Sequence, residues 1–379
     1  MKICFVSTFF TGATLPFIKH LNDCGYRTDF YLFARQGQKE LETLVFDTAI
    51  QGNVITELQK GNAIYDYLDK SVNISIIPYY LRARKKTLKD CISYFNNMRI
   101  VYSLIKKIEK ESYDIIYIIV NEKIDYLLCK RLKAKGHKNI IIAYHEVIKN
   151  QTAKPELKEV VKQTVRYGYP VITYSDYVKR LLYKLSGYEN IHTLYFGLFE
   201  TYKLYDSDIP MINDNYILYI GSISPYKGLP FLYETLELYG DDTRFRIVVA
   251  GAGNDGVLSK MRTDKRYVVI NRFLNNTEFA NLVKYAKCVV CPYVAASQSG
   301  IPQVAMLFNT PVIATKVGAF PEVIKDGYNG YLVDYGNKEQ MALVIRNIFD
   351  QKDTNDYEIP DHLRWINIVN DFANLIVKK

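Results

Sequence analysis

A chain of 379 residues, 49% hydrophobic and 23% charged, is globular rather than disordered and long enough for two cores. Its net charge of +9 favours anionic partners, yet no compact basic motif sits in a recognisable nucleic-acid-binding pattern, so nucleic acid is not an expected partner. No run reaches the ~20 apolar residues of a membrane span, and the scattered cysteines at 4, 24, 91, 129, 288 and 291 form no disulfide framework.

The opening MKICFVSTFF carries one Lys and no small-residue cleavage site, so it reads as a first strand, Lys2–Thr8, and not as a signal peptide. Phe9–Thr14 reads as a loop and Leu15–Cys24 as a helix stopped by Gly25, with Leu15, Ile18 and Leu21 on one face. Tyr26–Phe33 is the next strand. This opening is Rossmann-like, but G-x-G-x-x-G is absent and a dinucleotide site is not expected. Val72–Ile77 is a third strand. After it, PYYLRARKKTLK places tyrosines beside Arg82, Arg84, Lys85, Lys86 and Lys89, which suits a helix at an anionic bilayer surface or a plain solvated face.

Asp114–Val120 and Asn139–His145 are apolar strands with a helix between them. His145 falls at the carboxyl end of a parallel strand, where open α/β sheets place ligands; a hydrogen-bonded strand-end histidine is the plainer alternative. Tyr169–Tyr174 with Ser175-Asp176 gives strand, cap and helix, and Ile191–Tyr195 with Gly197 closes a first domain. Glu200–Asn215 is polar, holds a Pro and has no long period, which reads as an interdomain linker. Its Asp206-Ser207-Asp208 is a D-x-D whose place in a linker argues against a metal site.

A second Rossmann-like set begins at Tyr216–Ile220, followed by GSISPYKG (Gly221–Gly228) and a helix from Leu229. Arg246–Ala250 with Gly251-Ala252-Gly253, Val268–Phe273 and the helix Asn276–Ala286 come next. Cys288–Pro292 is a strand whose C-x-x-C thiols point to opposite faces, as core thiols in a reducing cytosol would. A small-residue loop, Ala295–Gly300, precedes a short helix, Pro302–Phe308. The strand Pro311–Ala314 leads into VGAFPE (Val317–Glu322). Strand, Gly/Ser loop and helix start thus occur twice, a geometry that offers backbone N–H groups to a phosphate or carboxylate. Helices around 342–349 and 363–377 end the chain.

PVIATKVGAFPEVIKDGYNGYLV, with Val-Gly-x-x-Pro-Glu and Asp-Gly-x-x-Gly-x-x-Val in order, resembles the donor-binding end of retaining group 1 (family 4-like) glycosyltransferases of bacterial polysaccharide and glycolipid synthesis. The resemblance implies an α/β GT-B fold, two Rossmann-like domains facing each other across a cleft. The acceptor side would be residues 1–200, the nucleotide-sugar side 201–360, and a final helix, 361–379, would pack back on the first domain. It implies a metal-independent enzyme without a cofactor, taking a UDP- or GDP-sugar as donor. The acceptor would be a glycan or lipid-linked molecule of capsule or O-antigen type. The place would be the cytoplasm, peripherally on the inner face of the membrane.

Residue by residue, Lys227 matches the family's lysine on the donor diphosphate, and His145 its strand-end histidine facing the donor sugar. Gly221, Ser299 and Gly300 would offer N–H groups, Gln298 and Gln303 would accept sugar hydroxyls, and Arg272 would lie over the base. Gly12 and Ala13, in the first loop, would let an acceptor approach the backbone. By resemblance, the acceptor hydroxyl attacks on the face the diphosphate leaves, and a phosphate oxygen takes its proton. The sequence also departs from the family. The arginine after Gly221 is Ser222, the two signature glutamates fall on Ala296 and Val304, and the glycine before x-Pro is Asn309. A changed donor, or a non-catalytic partner or sugar-binding protein of the same fold, are both open.

Overall fold

The computed structural model describes residues 1–46, 48–52, 54–80, 88–149, 155–240, 246–350 and 357–377. The chain divides into two compact units, one of Met1–Asn150, Pro155–Tyr195 and Ile368–Lys379, the other centred on Phe196–Asn367.

Apolar strands alternating with amphipathic helices build parallel sheets, because each helix buries its stripe on the sheet before the next strand. The first unit runs β1 (Lys2–Ser7), α1 (Thr11–Asp23), β2 (Arg27–Arg35), β3 (Glu40–Leu41), β4 (Leu44–Val45), β5 (Thr56–Glu57) and β6 (Asn73–Tyr79). It continues with α2 (Leu88–Glu111), β7 (Ile115–Ile119), α3 (Lys123–Ala134), β8 (Ile140–Tyr144), α4 (Glu159–Val165), β9 (Val171–Thr173), α5 (Asp176–Ser186) and β10 (Ile191–Thr193). The sheet order is β10-β9-β8-β7-β1-β2-β6-β5, parallel except for β5, while β3 and β4 pair as a separate hairpin. The order reverses between β1 and β7, so the loops after these two strands open a crevice at the sheet's carboxyl edge.

Residues of alternate parity on β1 face two cores. Cys4 and Val6 pack with Leu104 of α2 and with Leu128 and Leu132 of α3. On the opposite side Phe5 meets Phe17 of α1 at 5.6 Å, and Phe372, near the chain's end, meets Phe17 at 5.3 Å and Tyr117 at 5.9 Å.

The second unit runs β11 (Tyr216–Ile220), α6 (Leu229–Leu236), β12 (Arg246–Ala250), α7 (Leu258–Thr263), β13 (Tyr267–Ile270), α8 (Asn276–Lys284) and β14 (Cys288–Cys291). Then come α9 (Ile301–Leu307), β15 (Val312–Thr315), α10 (Phe320–Val323), β16 (Tyr331–Val333) and α11 (Lys338–Asp350), while α12 (Trp365–Val377) belongs to the first unit from Ile368 on. The six strands of the second unit are all parallel in the order β13-β12-β11-β14-β15-β16, with the switch point between β11 and β14.

Three readings of the sequence change. Helix α1 begins at Thr11, four residues before Leu15, because its first N–H groups find an acceptor elsewhere in the chain. A 24-residue helix, α2, fills the stretch before β7. The segment taken for a linker is not free: Tyr202 stacks on Phe279 of α8 at 5.1 Å, and Lys284 holds Asp206 at 2.6 Å and Asp208 at 3.2 Å. The Asn281 side chain also accepts from Met211 N and donates to Ile209 O, both at 2.8 Å. The D-x-D carboxylates are therefore ion-paired to a lysine, and the strap is fastened to α8 by groups whose partners lie about 70 residues on.

Cys288 and Cys291 are buried, as are Cys4 and Cys129, whereas Cys24 and Cys91 are exposed. Among the described residues no helix is long and apolar enough to cross a membrane.

Candidate functional site

In the second unit the loops after β11 and β14 leave the sheet at its switch point and interlock through backbone. Gly228 has φ 68, and a Cβ there would lie 1.8 Å from Pro292 O, so only glycine permits this crossing. Val294 N–H donates to Tyr226 O at 2.8 Å, and Thr315 Oγ1 donates to Tyr293 O at 2.6 Å, which ties in the loop after β15.

Lys227 lies in the crossing. Its Nζ is 5.0 Å from the centre of the Tyr293 ring, and 3.3 Å from where a Cβ on Gly221 would stand. Burial pushes its ammonium below the ordinary lysine value, opposed in part by Cys291. An ammonium stripped of water favours an anion, since ionisation costs it less once a negative charge is close. The same loops, β11 and α9 carry four buried polar atoms with no partner: Tyr219 OH, Ser224 Oγ, Gln298 Oε1 and Gln303 Oε1. Such atoms call for a hydrogen-bonding ligand.

Other residues stand differently from the sequence reading. Gly221 N–H donates to Ala250 O at 3.0 Å, so it is spent inside the sheet edge and is not open to a phosphate. At Gly300 a Cβ would lie 2.6 Å from the Phe199 ring, so packing is what requires glycine there. Ser299 Oγ lies 3.5 Å from Tyr293 OH and accepts the Ile301 N–H at 3.3 Å. Arg272 makes a two-pronged pair with Glu278, at 2.7 and 2.8 Å, and Glu278 in turn caps α8 together with Asn275. The pair uses the edge of the guanidinium, and the side chain stays 55% exposed. Ser222 is exposed beside Gly221. Ala296 and Val304 are 4% and 2% exposed, so the positions of the two family glutamates are buried and apolar.

In the first unit His145 follows β8 immediately. The Phe10 ring lies against its imidazole, with centroids 3.8 Å apart, and Phe9 is 6.3 Å away. Burial, aided by the charge of Lys158, pushes the imidazole down to about 3, so the ring is neutral at ordinary pH. Lys158 is itself paired with Glu146 at 2.8 Å. At the switch point Asp125 Oδ2 accepts from Thr8 Oγ1 and Asn121 N at 2.9 Å and from Glu122 N at 2.8 Å, tying the loop after β1 to the loop after β7.

Gly12 and Ala13 are buried in the first turn of α1, and Gly12 N–H donates to Glu42 Oε2 at 2.9 Å. The Gly12 N–H is thus already bonded to a carboxylate, which the sequence did not anticipate. The cations Arg82, Arg84, Lys85 and Lys86 lie outside the described residues. Sequence reasoning missed Glu42, Phe10, Asp125 and Tyr293. Only the polar turn between Leu41 and Leu44 marked Glu42, and nothing in it points to a partner 30 residues earlier.

Whole-chain likenesses exist among solved structures. One is HepE of Anabaena, solved with UDP, at TM-score 0.64 and 14% identity over all of both chains. Another is sucrose-phosphate synthase of Thermosynechococcus elongatus, at TM-score 0.64 and 14% identity over 100% of this chain and 94% of that one. With two parallel, doubly wound sheets, the fold is GT-B.

Residues 214–351 match the family model described as glycosyl transferases group 1. An uncharacterized glycosyltransferase of Methanocaldococcus jannaschii is 23% identical over 43% of this chain and 45% of its own length. The O-antigen chain mannosyltransferase RfbU of Salmonella typhimurium is 27% identical over 36% and 38%. The matched stretch spans less than half of either relative.

Proposed function

We propose that the protein is a retaining glycosyltransferase that moves a sugar from a UDP- or GDP-sugar to a glycan or lipid-linked acceptor in cell-surface polysaccharide synthesis. The observation that carries this is Lys227, a partly dehydrated ammonium set over Tyr293, with orphaned hydroxyl and amide oxygens on the same loops and the adjoining β11 and α9. The comparisons support its direction: HepE was solved with UDP and with UDP-glucose, and the Salmonella relative is named for O-antigen.

In this reading Lys227 neutralises the charge that builds on the leaving diphosphate, the role for which a fixed cation is worth most in a water-poor site. Gln298 and Gln303 accept donor hydroxyls with the amide oxygens that now lack partners. His145, neutral, exchanges a hydrogen bond with a sugar hydroxyl. The acceptor hydroxyl attacks on the face the diphosphate leaves, a phosphate oxygen takes its proton, and the assigned steps call for no metal. Peripheral attachment to the inner membrane face is part of the proposal. It is supported by exposed Leu88, Ile92, Phe95 and Tyr102 along α2, with Arg99 and Lys106 on the same stripe.

A second reading, a non-catalytic partner of the same fold, is favoured by apolar Ala296 and Val304 and by Ser222 where the family is charged. A thermal-shift screen of UDP-, GDP- and ADP-sugars, followed by product analysis with the hits, separates the two. Binding with sugar release to an acceptor supports the enzyme. Binding without turnover supports the partner, and no shift with any nucleotide refutes the assignment of the donor loops.

A further inference from the structure

The head of α1 is held by two residues in a backbone conformation that side chains avoid. Phe10 has φ 78 and ψ 40, and Glu42 has φ 49. Left-handed backbone costs a non-glycine residue free energy and persists where the surroundings over-determine it. Here they do. The Glu42 carboxylate accepts the N–H groups of Phe10, Thr11 and Gly12. Thr11 Oγ1 donates to Leu41 O at 2.7 Å, and Thr14 Oγ1 donates to Phe10 O at 2.6 Å.

A glycine would hold this turn without strain, so the ring of Phe10 is what the position gains. That ring is 6% exposed, lies 3.8 Å from the His145 imidazole, and is parallel within 7° to Tyr174 at 6.5 Å. We propose that Phe10, pinned by Glu42, is the positioning residue for His145: its ring sets the imidazole plane and shuts water from one face. His145 then meets its ligand as a neutral, oriented ring with one donor and one acceptor. That chemistry matches a sugar hydroxyl and gives a phosphate no ion pair. The functional half of this inference rests on the role proposed above for His145; the packing half does not.

The test uses the full chain as wild type, Phe10→Gly, Phe10→Tyr and Glu42→Ala. The His145 imidazole is titrated by NMR, and transfer kcat and KM are measured with the donor found in the screen. Phe10→Gly relieves the left-handed backbone but removes a buried ring, so its Tm should fall, while Phe10→Tyr keeps the ring and the Tm. In Phe10→Gly the His145 midpoint should rise from about 3 toward the ordinary 6.5, and kcat should fall about tenfold or more at a nearly constant KM. Glu42→Ala should move both the same way, and Phe10→Tyr should keep both near wild type. An unmoved midpoint in Phe10→Gly and Glu42→Ala overturns the proposal. A moved midpoint with wild-type kcat overturns its functional half. If the wild type transfers nothing, the glycosyltransferase reading fails, while the midpoint still decides the positioning.

Discussion

At the scale of single residues, charge and burial decide what each group can do. Lys227 takes its value from having lost water without gaining a carboxylate, and Ser222 leaves it as the side-chain cation assigned to the diphosphate. Lys227→Ala should therefore cost about 2–4 kcal/mol of transition-state stabilisation, the range for losing one preorganised oxyanion donor. Transfer rates for Lys227→Ala and Lys227→Arg check this, and a wild-type rate in the alanine variant removes the phosphate-clamp role. Asp125 shows the opposite balance. It is fully buried with Oδ1 unpartnered, and burial pushes its carboxyl up to about 7. Because the folded value lies above the unfolded one, its stabilising contribution is complete below about pH 4 and is lost as pH rises through 7. Glu42, also pushed up to about 7, has the same sign. Tm should thus fall between about pH 4 and pH 7.5, and Asp125→Asn should flatten part of that slope. An identical slope in the variant would count against a protonated Asp125.

At the scale of elements, α2 is the piece whose faces disagree. Its inner side, with Ile100, Val101, Leu104, Ile105 and Ile108, is buried in the first core, yet Leu88, Ile92 and Phe95 are 78%, 53% and 66% exposed. Positions 88, 92, 95, 99, 102 and 106 fall on one stripe at helical spacing, apolar at one end and cationic further on. A stripe of this kind suits an anionic lipid surface, where each large apolar side chain contributes about 1.5–3 kcal/mol on burial. Ile92→Glu with Phe95→Glu should lower co-sedimentation with anionic vesicles at least ~10-fold at low salt. Equal pelleting of variant and wild type would sink the membrane proposal. The strap 200–211 teaches a different lesson: a polar stretch with a proline at its end is held by Asn281, Lys284 and Phe279, none adjacent to it in sequence.

At the scale of the molecule, each unit has its own parallel sheet and its own switch point, at β1/β7 and at β11/β14. The family match covers residues 214–351, within the second unit, and the interlocked loops that carry Lys227 lie there too. A nucleotide-sugar at about 100 times its Kd should stabilise the protein by about 2.7 kcal/mol, a rise in Tm of roughly 5–10 °C. Lys227→Ala should shrink that shift while leaving the unliganded Tm close to wild type. A full-sized shift in the variant would place the nucleotide elsewhere.

The sequence by itself determined the two sheets, because an apolar run long enough to be buried on both faces is visible without any partner. Tyr216–Ile220 and Arg246–Ala250 were legible to the residue, and His145 and Lys227 stood out at strand ends and after a glycine turn. The glycine motif also marked Gly228, though not the reason for it, which is the carbonyl of Pro292 across the loop. What only the tertiary structure decided is which polar groups are already spent. Gly221 N–H is bonded to Ala250, Gly12 N–H to Glu42, Arg272 to Glu278 and the D-x-D to Lys284. A hydrogen bond or ion pair depends on an atom brought close by folding, from 6 to 78 residues away here. The left-handed Phe10 shows the same limit. Its backbone state is accompanied by the Glu42 carboxylate on the Gly12 N–H, from a residue 30 positions on, and no local pattern in FFTGAT records that partner.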